Sequence, residues 1–439
     1  MFSYNIWNAL RSMRRNPILT SLMIAAIAVG IGVSMSMLSV YHILASNPIP
    51  DKSDQLFRVT LDTWGPLRAW DENDLTNTPT QVTYRDATAL MDAAPASRQS
   101  AMFETGLVVE PDDAEQIPFE ARARAAYSDF FYLFNVPFLY GGPWDKLADD
   151  EGAQVVVLTP EINNKLFGGE DSVGEKILMS DRYFTVTGVI DRWEPMPRFY
   201  DTINSPIQQV NEIFIPFTLT PRMELWSFAS SSNWKAEKIQ SHADWLSSEA
   251  IWIQYWAELK TEQEIQAYQD HLDNYAREQK KVGRFQRPIN NRIFNVTDWL
   301  EYREVVPNEV KVLVALGFLF LVVCLLSSVG LLLTKFDGRS VEVCLRRALG
   351  ATRTTLLGQH LMEVAVIGLV GGVFGIGLTH LCLLAIGAML SQAPDYMLQM
   401  DWQMVSAAFA VAIITSVMAG LFPAWRSCMT APAQALKTQ

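Results

Sequence analysis

Two arginines and a glutamate within two turns of one short helix are the residues best placed to do chemistry. They lie in EVCLRRALGATRTTLL, residues 342–357. Val341, Leu345, Ala348 and Leu349 recur at helical spacing as an apolar stripe, with Arg346 and Arg347 beside it and Glu342 in the first turn. Gly350 suits a helix stop, and TRTTLL restarts a helix. The chemistry such a set offers is recognition: guanidinium groups meet carboxylates or phosphates while the stripe fills a groove. A helix this short gains little from propensity alone, so something outside it must hold it. Two readings fit equally, a groove on a protein partner or the headgroups of a membrane surface.

Catalytic groupings are not evident. The five histidines (His42, His242, His271, His360, His380) show no HExxH or other metal spacing. His380 and Cys382, two apart, point to different faces of one helix. No Gly-x-Ser-x-Gly elbow occurs, and no GxxxxGK[ST] phosphate loop occurs, so the chain lacks that means of cradling ATP. No cofactor or metal bound by this chain is expected. WKAEKIQSHADWLSSEAIWIQYW (234–256) is read either as core and loop packing or as an apolar docking surface.

The elements that position the arginine-bearing helix are apolar runs. No Asp, Glu, Lys or Arg occurs from Asn16 to Pro50, Val312 to Thr334, Val364 to Pro394 or Trp402 to Trp425. Crossing about 30 Å of hydrocarbon takes roughly 20 helical residues, so each run is long enough. The expected architecture is an α-helical membrane protein with transmembrane helices at 18–43, 310–334, 362–390 and 402–424. A large mixed α/β domain, 46–307, is inserted between the first and second. The first run exceeds the usual signal-peptide core, so a retained helix is expected. Residues 1–17 place Phe2, Ile6, Leu10 and Met13 opposite Asn5, Asn8 and the arginines, an amphipathic helix for the inner membrane surface.

Orientation follows the flanking cations. Arg11, Arg14 and Arg15 precede the first span; Lys335, Arg339, Arg346, Arg347 and Arg353 fall in the 335–361 connection; Arg426 and Lys437 lie in the 425–439 tail. The 391–401 loop has no Lys or Arg. Both termini and the 335–361 hairpin are therefore expected in the cytoplasm, with 46–307 and 391–401 outside. Residues 46–307 hold 24 Lys/Arg and 41 Asp/Glu, a balance of −17, whereas the remainder is +5. So acidic an exterior argues against a nucleic-acid partner. Cys324, Cys344, Cys382 and Cys428 all fall in or near spans, so the outer domain folds without disulfides.

Within the outer domain, LFRVTLDTW (56–64) and AIWIQYWAELK (250–260) alternate as strands. AQVVVLTP (153–160) is a short buried strand followed by a helix that stops at Gly168–Gly169. GEKILMSDRYFTVTGVI (174–190) is a hairpin turning at 180–182. Thr261 and Glu264 have capping-box spacing ahead of a stripe of Ile265, Tyr268, Leu272 and Tyr275, and RIFNVTDWL (292–300) is expected as the returning strand. The repeated β-α-β pattern predicts two small α/β subdomains.

The spans carry small-residue rows. Gly368 with Gly372, and Gly371 with Gly375, are each four apart, and Ala26, Gly30 and Ser34 repeat the spacing in the first span. Such rows allow close helix approach, within one chain or across a dimer seam. No Asp, Glu, Lys or Arg lies within the expected spans apart from Glu363 at the inner edge of the third, and that absence counts against an ion channel or a proton-coupled carrier.

EVCLRRALGATRTTLLGQHLMEVAVIGLVGG resembles the signature of FtsX-like permease domains, here spanning 310–439. AGLFPAWRSCMTAPAQALK resembles the closing motif of the same family, and VVVLTPEINNKLFGGEDSVGEKILMSDRYFTVTGVI resembles the MacB-like periplasmic core. NALRSMRRNPILTSLMIAAIAVGIGV is similar to that core's N-terminal approach. Cys344 stands where the family usually has glycine, and FDGRSVE lacks its common charged run. The resemblance implies the permease subunit of a type VII ABC transporter in a bacterial inner membrane. Two permease copies or paralogues would pair above two ATPase subunits, which bind ATP and Mg. Glu342, Leu345, Arg346, Arg347, Ala348, Leu349 and Gly350 would form the element that couples to the ATPase. The implied mechanism is mechanotransmission to the outer domain. Export of a hydrophobic compound or peptide leads, with a periplasmic adaptor and an outer-membrane channel as further candidate partners. A non-transporting regulatory permease and a lipoprotein-release permease are the alternatives.

Overall fold

The computed structural model describes residues 2–111, 117–389 and 402–429, so the 391–401 loop and the tail beyond 429 lie outside the described residues. The chain forms two compact units, one of residues 46–305 and one of the segments on either side.

Among the described residues, five long helices and one short helix build the flanking unit. The N-terminal helix Phe2–Arg15 breaks at Asn16, and Pro17 opens the first span, Pro17–Ala45. Proline fits a first helical position because that N–H has no partner to lose. The second span runs Asn308–Asp337, the third helix Arg353–Met389 and the fourth Trp402–Met429. All four are long and apolar enough to cross a membrane. The third helix starts nine residues before the predicted 362, because Thr352 Oγ1 caps the N–H of Thr355 and the helix runs on unbroken into the apolar stretch. The fourth continues past Pro423 to Met429 rather than ending at 424.

The 46–305 unit is a mixed sheet. Its described strands are β1 (Leu56–Thr60), β2 (Val82–Thr83), β3 (Arg98–Glu110), β4 (Phe119–Ala126), β5 (Phe138–Gly141) and β6 (Val155–Leu158). They continue with β7 (Lys176–Met179), β8 (Arg182–Ile190), β9 (Ile213–Pro216), β10 (Ile251–Glu258) and β11 (Arg292–Asn295). The order is β11-β1-β10-β3-β4-β9-β6-β8-β5, with β2 beside β10 and β7 beside β3 and β8. Pairs β4–β9 and β6–β8 are parallel and the remainder antiparallel. The β7–β8 hairpin turns on Ser180 (φ 46°) and Asp181 (φ 63°), two left-handed residues that match the twist of the strands.

The two expected subdomains are not separate sheets. β3 is long enough to pair with β10 through Arg98–Met102, with β4 through Met102–Val109 and with β7 at its end, so one hydrogen-bonded network runs through the unit. The expected strand 292–300 is also corrected. It stops at Asn295, whose side chain accepts from the Asp298 N–H and starts the helix Val296–Tyr302. β10 and β11 do not pair directly; β1 lies between them, antiparallel to both. Thr261 caps Glu264 as its spacing predicts, and the helix Glu262–Lys281 buries Tyr268 and Leu272. The aromatic run 234–256 divides: residues 248–256 are interior, with Trp252, Tyr255 and Trp256 fully buried, whereas Trp234 and Ile239 are exposed.

Alternation in β1 and β10 does not produce a wet face. Every residue of both strands is buried. One face joins a core containing Phe57, Val59, Phe103 and Tyr255; the other joins Leu56, Met102, Phe130 and Trp256. The polar positions of that second face meet a buried ionic cluster. Arg124 Nη2 lies 2.6 Å from Asp201 Oδ2, and Arg198 reaches the same carboxylate at 3.5 Å. Glu104 accepts from Arg124 at 3.4 Å and lies 3.6 Å from Arg198, and Gln254 Nε2 donates to Asp201 at 3.2 Å. Burial pushes the Asp201 carboxyl upward, but Arg124 and Arg198 outweigh it and hold the group at about 2.

A carboxylate depressed from about 4 to about 2 stabilises the fold by about 2 kcal/mol above pH 4, and loses that contribution as pH falls through 2. Asp201→Asn should therefore lower the thermal midpoint of the 46–305 unit at pH 7, and its difference from wild type should shrink as pH drops from 4 toward 2. Tryptophan fluorescence of the full chain can follow this, since 10 of its 13 tryptophans lie in that unit. A constant difference across the range would show that Asp201 carries no such ion pair.

Candidate functional site

The short helix Ser340–Ala348 is set between the second span and the third helix, and Gly350 turns the chain at φ +98° after it. Its faces have different surroundings. Val343 and Cys344 are buried against Leu356 and Cys428. Cys344, the departure from the family glycine, thus fills an internal contact. On a second face Glu342 Oε1 accepts from Arg346 Nη2 at 2.8 Å, and Arg346 Nη1 donates to Gln359 at 3.1 Å. Arg347 Nη1 donates to the Cys428 carbonyl at 3.3 Å. The third face is apolar and uncovered: Val341, Leu345 and Leu349 are 55%, 61% and 81% exposed, with Ala348 and Gly350 also exposed. So the predicted coupling residues divide. Leu345, Ala348, Leu349 and Gly350 face outward, while Glu342, Arg346 and Arg347 are half-buried and engaged within the chain.

Beneath this helix lies a charged joint that sequence inspection underrated. Lys335, in the last turn of the second span, places Nζ 2.7 Å from Glu363 Oε1 and 3.2 Å from Thr20 Oγ1. Arg339 Nη1 lies 3.3 Å from Glu363 Oε2, and Arg339 also donates to the Ser12 hydroxyl at 2.5 Å and the Ser12 carbonyl at 3.1 Å. Ser12 Oγ in turn donates to Glu363. The N-terminal helix, first span, second span and third helix therefore converge on one buried carboxylate. The sequence signal was present, since Lys335 and Glu363 are the charges bordering two apolar runs. The N-terminal helix also packs inward: Ala9 and Ser12 are buried and Met13 joins the helical core, while the side chains of Phe2, Ile6 and Leu10 lie outside the described residues.

The small-residue rows face neighbours in the same chain. A side chain at Gly371 or Gly375 would meet Ile27 or Ile31 of the first span, and one at Gly368 or Gly372 would meet Ser416 or Ala412 of the fourth. Gly30 faces Leu321 and Cys324 of the second span. Ser34 is fully buried, its hydroxyl donating to the Gly30 carbonyl at 2.7 Å, whereas Ala26 is only half-buried. These glycines let the first and third helices approach within side-chain-free distance.

No group of His, Cys, Asp and Glu with metal-binding geometry occurs among the described residues. The 46–305 unit has a cleft of about 630 Å³ lined by Trp64, Trp234, Arg85, Glu249 and Arg284. Its charges pair with one another: Arg284 lies 2.9 Å from Glu249 and 2.7 Å from buried Asp86. The short helix thus presents an exposed apolar ridge next to a buried ionic cluster.

Residues 20–275 match the family of the MacB-like periplasmic core domain, and residues 314–432 match the FtsX-like permease C-terminal family. The chain is 22% identical over 325 residues to the macrolide export ATP-binding/permease protein MacB of Salmonella typhi, covering 73% of this chain and 44% of that protein. It is 30% identical over 107 residues to the uncharacterized ABC transporter permease YknZ of Bacillus subtilis strain 168, covering 24% of this chain and 26% of that protein. The periplasmic region of MacB from Actinobacillus actinomycetemcomitans has a TM-score of 0.36 at 13% identity, covering 58% of this chain and 94% of that one. The chain thus spans under half the length of the MacB relative it matches.

Removing one partner of a buried ion pair leaves the other charge uncompensated, at a cost of about 3–5 kcal/mol. Glu363→Gln and Lys335→Met should each lower the thermal midpoint of the solubilised chain by several degrees. The double variant should lose at least about 1 kcal/mol less than the two singles added together. Additive losses in the unfolding curves would show that the two side chains do not interact.

Proposed function

The chain belongs to the family of ABC transporter permeases that join a MacB-like periplasmic core domain to an FtsX-like permease region, and from that premise we propose that it converts ATP hydrolysis by a partner ATPase into movement of its outer domain. The observation that carries this reading is the uncovered stripe Val341–Leu345–Leu349 on a helix otherwise fixed to the chain. Apolar side chains at i, i+4 and i+8 form a ridge suited to a complementary groove. Held by the Val343–Cys344–Leu356–Cys428 contacts and by Arg346 and Arg347, the helix would move as one piece with the ends of the third and fourth spans.

The Glu363 joint supplies the next step. A displacement of the short helix pulls on Arg339 and Lys335, and through Glu363, Ser12 and Thr20 it reaches the first and second spans. Those two spans are continuous with the outer domain at residues 45–46 and 305–306. Orientation with the cation-rich ends in the cytoplasm follows the positive-inside rule and puts the ridge where an ATPase can reach it. ATP and Mg would be held by that partner, a second permease copy would complete the assembly, and the cargo would be a hydrophobic compound or peptide exported on the outer side. The name of the MacB relatives, macrolide export, supports that direction of transport.

Leu345→Glu with Leu349→Glu puts two charges on the ridge without touching the joint. In mild detergent the wild-type chain should co-purify with an ABC ATPase from its native membranes. The double variant should retain about tenfold less of it, as expected for loss of central apolar anchors. Arg346→Glu with Arg347→Glu should also release it, by breaking the contacts that hold the helix. Recovery equal to wild type in the Leu345/Leu349 variant would sink the docking claim.

A further inference from the structure

A cavity of about 350 Å³ opens between the N-terminal helix and the Ser340–Ala348 helix, on the side away from the apolar ridge. Arg11, Arg15, Arg339 and Arg346 line it, with Glu342 and Glu363 as its carboxylates. Both carboxylates are already matched: Glu363 by Lys335 at 2.7 Å and Arg339 at 3.3 Å, Glu342 by Arg346 at 2.8 Å and Arg15 at 3.2 Å. Counting Lys335 behind the wall, five cations face two carboxylates, a surplus of three positive charges.

A second observation points the same way. His360 lines the cavity, is only 8% exposed and packs its ring 4.4 Å from that of Phe336. Its Nε2 has no hydrogen-bond partner. A buried ring nitrogen left unpaired is costly, and an N–H at that nitrogen would complement an anionic oxygen.

The depth of the site identifies where the anion comes from. The apolar runs stop at Thr334 and resume at Val364, so Arg339 and His360 lie within five residues of those limits. At 1.5 Å per residue this is at most about 7.5 Å, the thickness of the headgroup layer. Trp7, 57% exposed with the Arg11 guanidinium 5.3 Å from its ring, is of the residue type that anchors helices at a membrane interface. Basic pockets between helices at the cytoplasmic surface suit lipid headgroups. We propose that the cavity binds a phosphate group, that of an anionic phospholipid headgroup, with Arg11, Arg15 and Arg346 supplying charge and His360 Nε2 a directed hydrogen bond; free phosphate is the other source of the same chemistry. Occupancy would tie the N-terminal helix to the short helix, so the lipid would tune the stiffness of the element that carries the ridge.

Native mass spectrometry of the full chain tests this without any ATPase. Phosphatidylglycerol, phosphatidylcholine and glycerol 3-phosphate are titrated in turn. Phosphatidylglycerol should bind saturably and about tenfold more tightly than phosphatidylcholine. Arg11→Gln with Arg15→Gln, both at exposed positions, should weaken it about tenfold, and His360→Phe, which keeps the ring contact with Phe336, should weaken it severalfold. Glycerol 3-phosphate binding as tightly as the lipid, with the same sensitivity to the variants, assigns the site to free phosphate. Equal binding of the two lipids with no glycerol 3-phosphate binding, or wild-type affinity in the Arg11/Arg15 variant, overturns the proposal. Thermal unfolding of each variant shows whether it is folded, and the Arg11/Arg15 variant keeps the test decisive if His360→Phe is not.

Discussion

The membrane unit turns on a single carboxylate. Glu363 is buried, and its negative charge is tolerable there only because Lys335 and Arg339 stand within hydrogen-bonding range and Ser12 donates to it. Each partner arrives from a different segment, and Lys335 adds Thr20 of the first span. In a region of low dielectric such a set is worth having only when complete, which makes it sensitive to geometry. The glycine rows add to this: Gly371 and Gly375 bring the third helix against Ile27 and Ile31, so the first and third helices are joined by packing as well as through the Thr20–Lys335–Glu363 contacts.

The 46–305 unit solves a different problem with similar means. Its strands β1 and β10 are covered on both faces, and the buried polar positions of β1, β3, β4 and β10 would be costly without partners. Arg124, Arg198 and Asp201 answer that cost by pairing with each other and with Glu104 and Gln254. Arg58 adds its guanidinium over the Trp299 ring at 4.9 Å. A cysteine-free domain thus gains an internal ionic network where a small secreted fold would use disulfides, while β3 joins the strands through its backbone pairing with β10, β4 and β7.

Much of this could be read directly from residue order. Four uncharged runs, their lengths and their cationic flanks specify helices that cross a bilayer, because unpaired backbone groups forbid any other form in hydrocarbon. The β7–β8 hairpin, the Thr261 cap and the stop at Gly350 follow from local chemistry that each residue carries with it. The family resemblance was legible for the same reason, as motifs such as LRRALGA are contiguous. The strand predicted across 292–300 failed on one local choice, since Asn295 can end a strand or cap a helix and its neighbours decide which.

What the amino-acid order determined by itself was span number, the insertion between the first two spans, the helix stop at Gly350, and the apolar ridge of the short helix. Only tertiary structure decided which faces meet. It turned Arg346 and Arg347 inward, put Cys344 in a core contact, assigned the glycines to neighbours within the chain, and gathered Ser12, Thr20, Lys335, Arg339 and Glu363 from positions as far as 351 residues apart. The reason is physical: backbone periodicity and side-chain polarity act locally, whereas the pairing of buried charges and the fit of one helix against another depend on contacts that exist only once the chain has closed on itself.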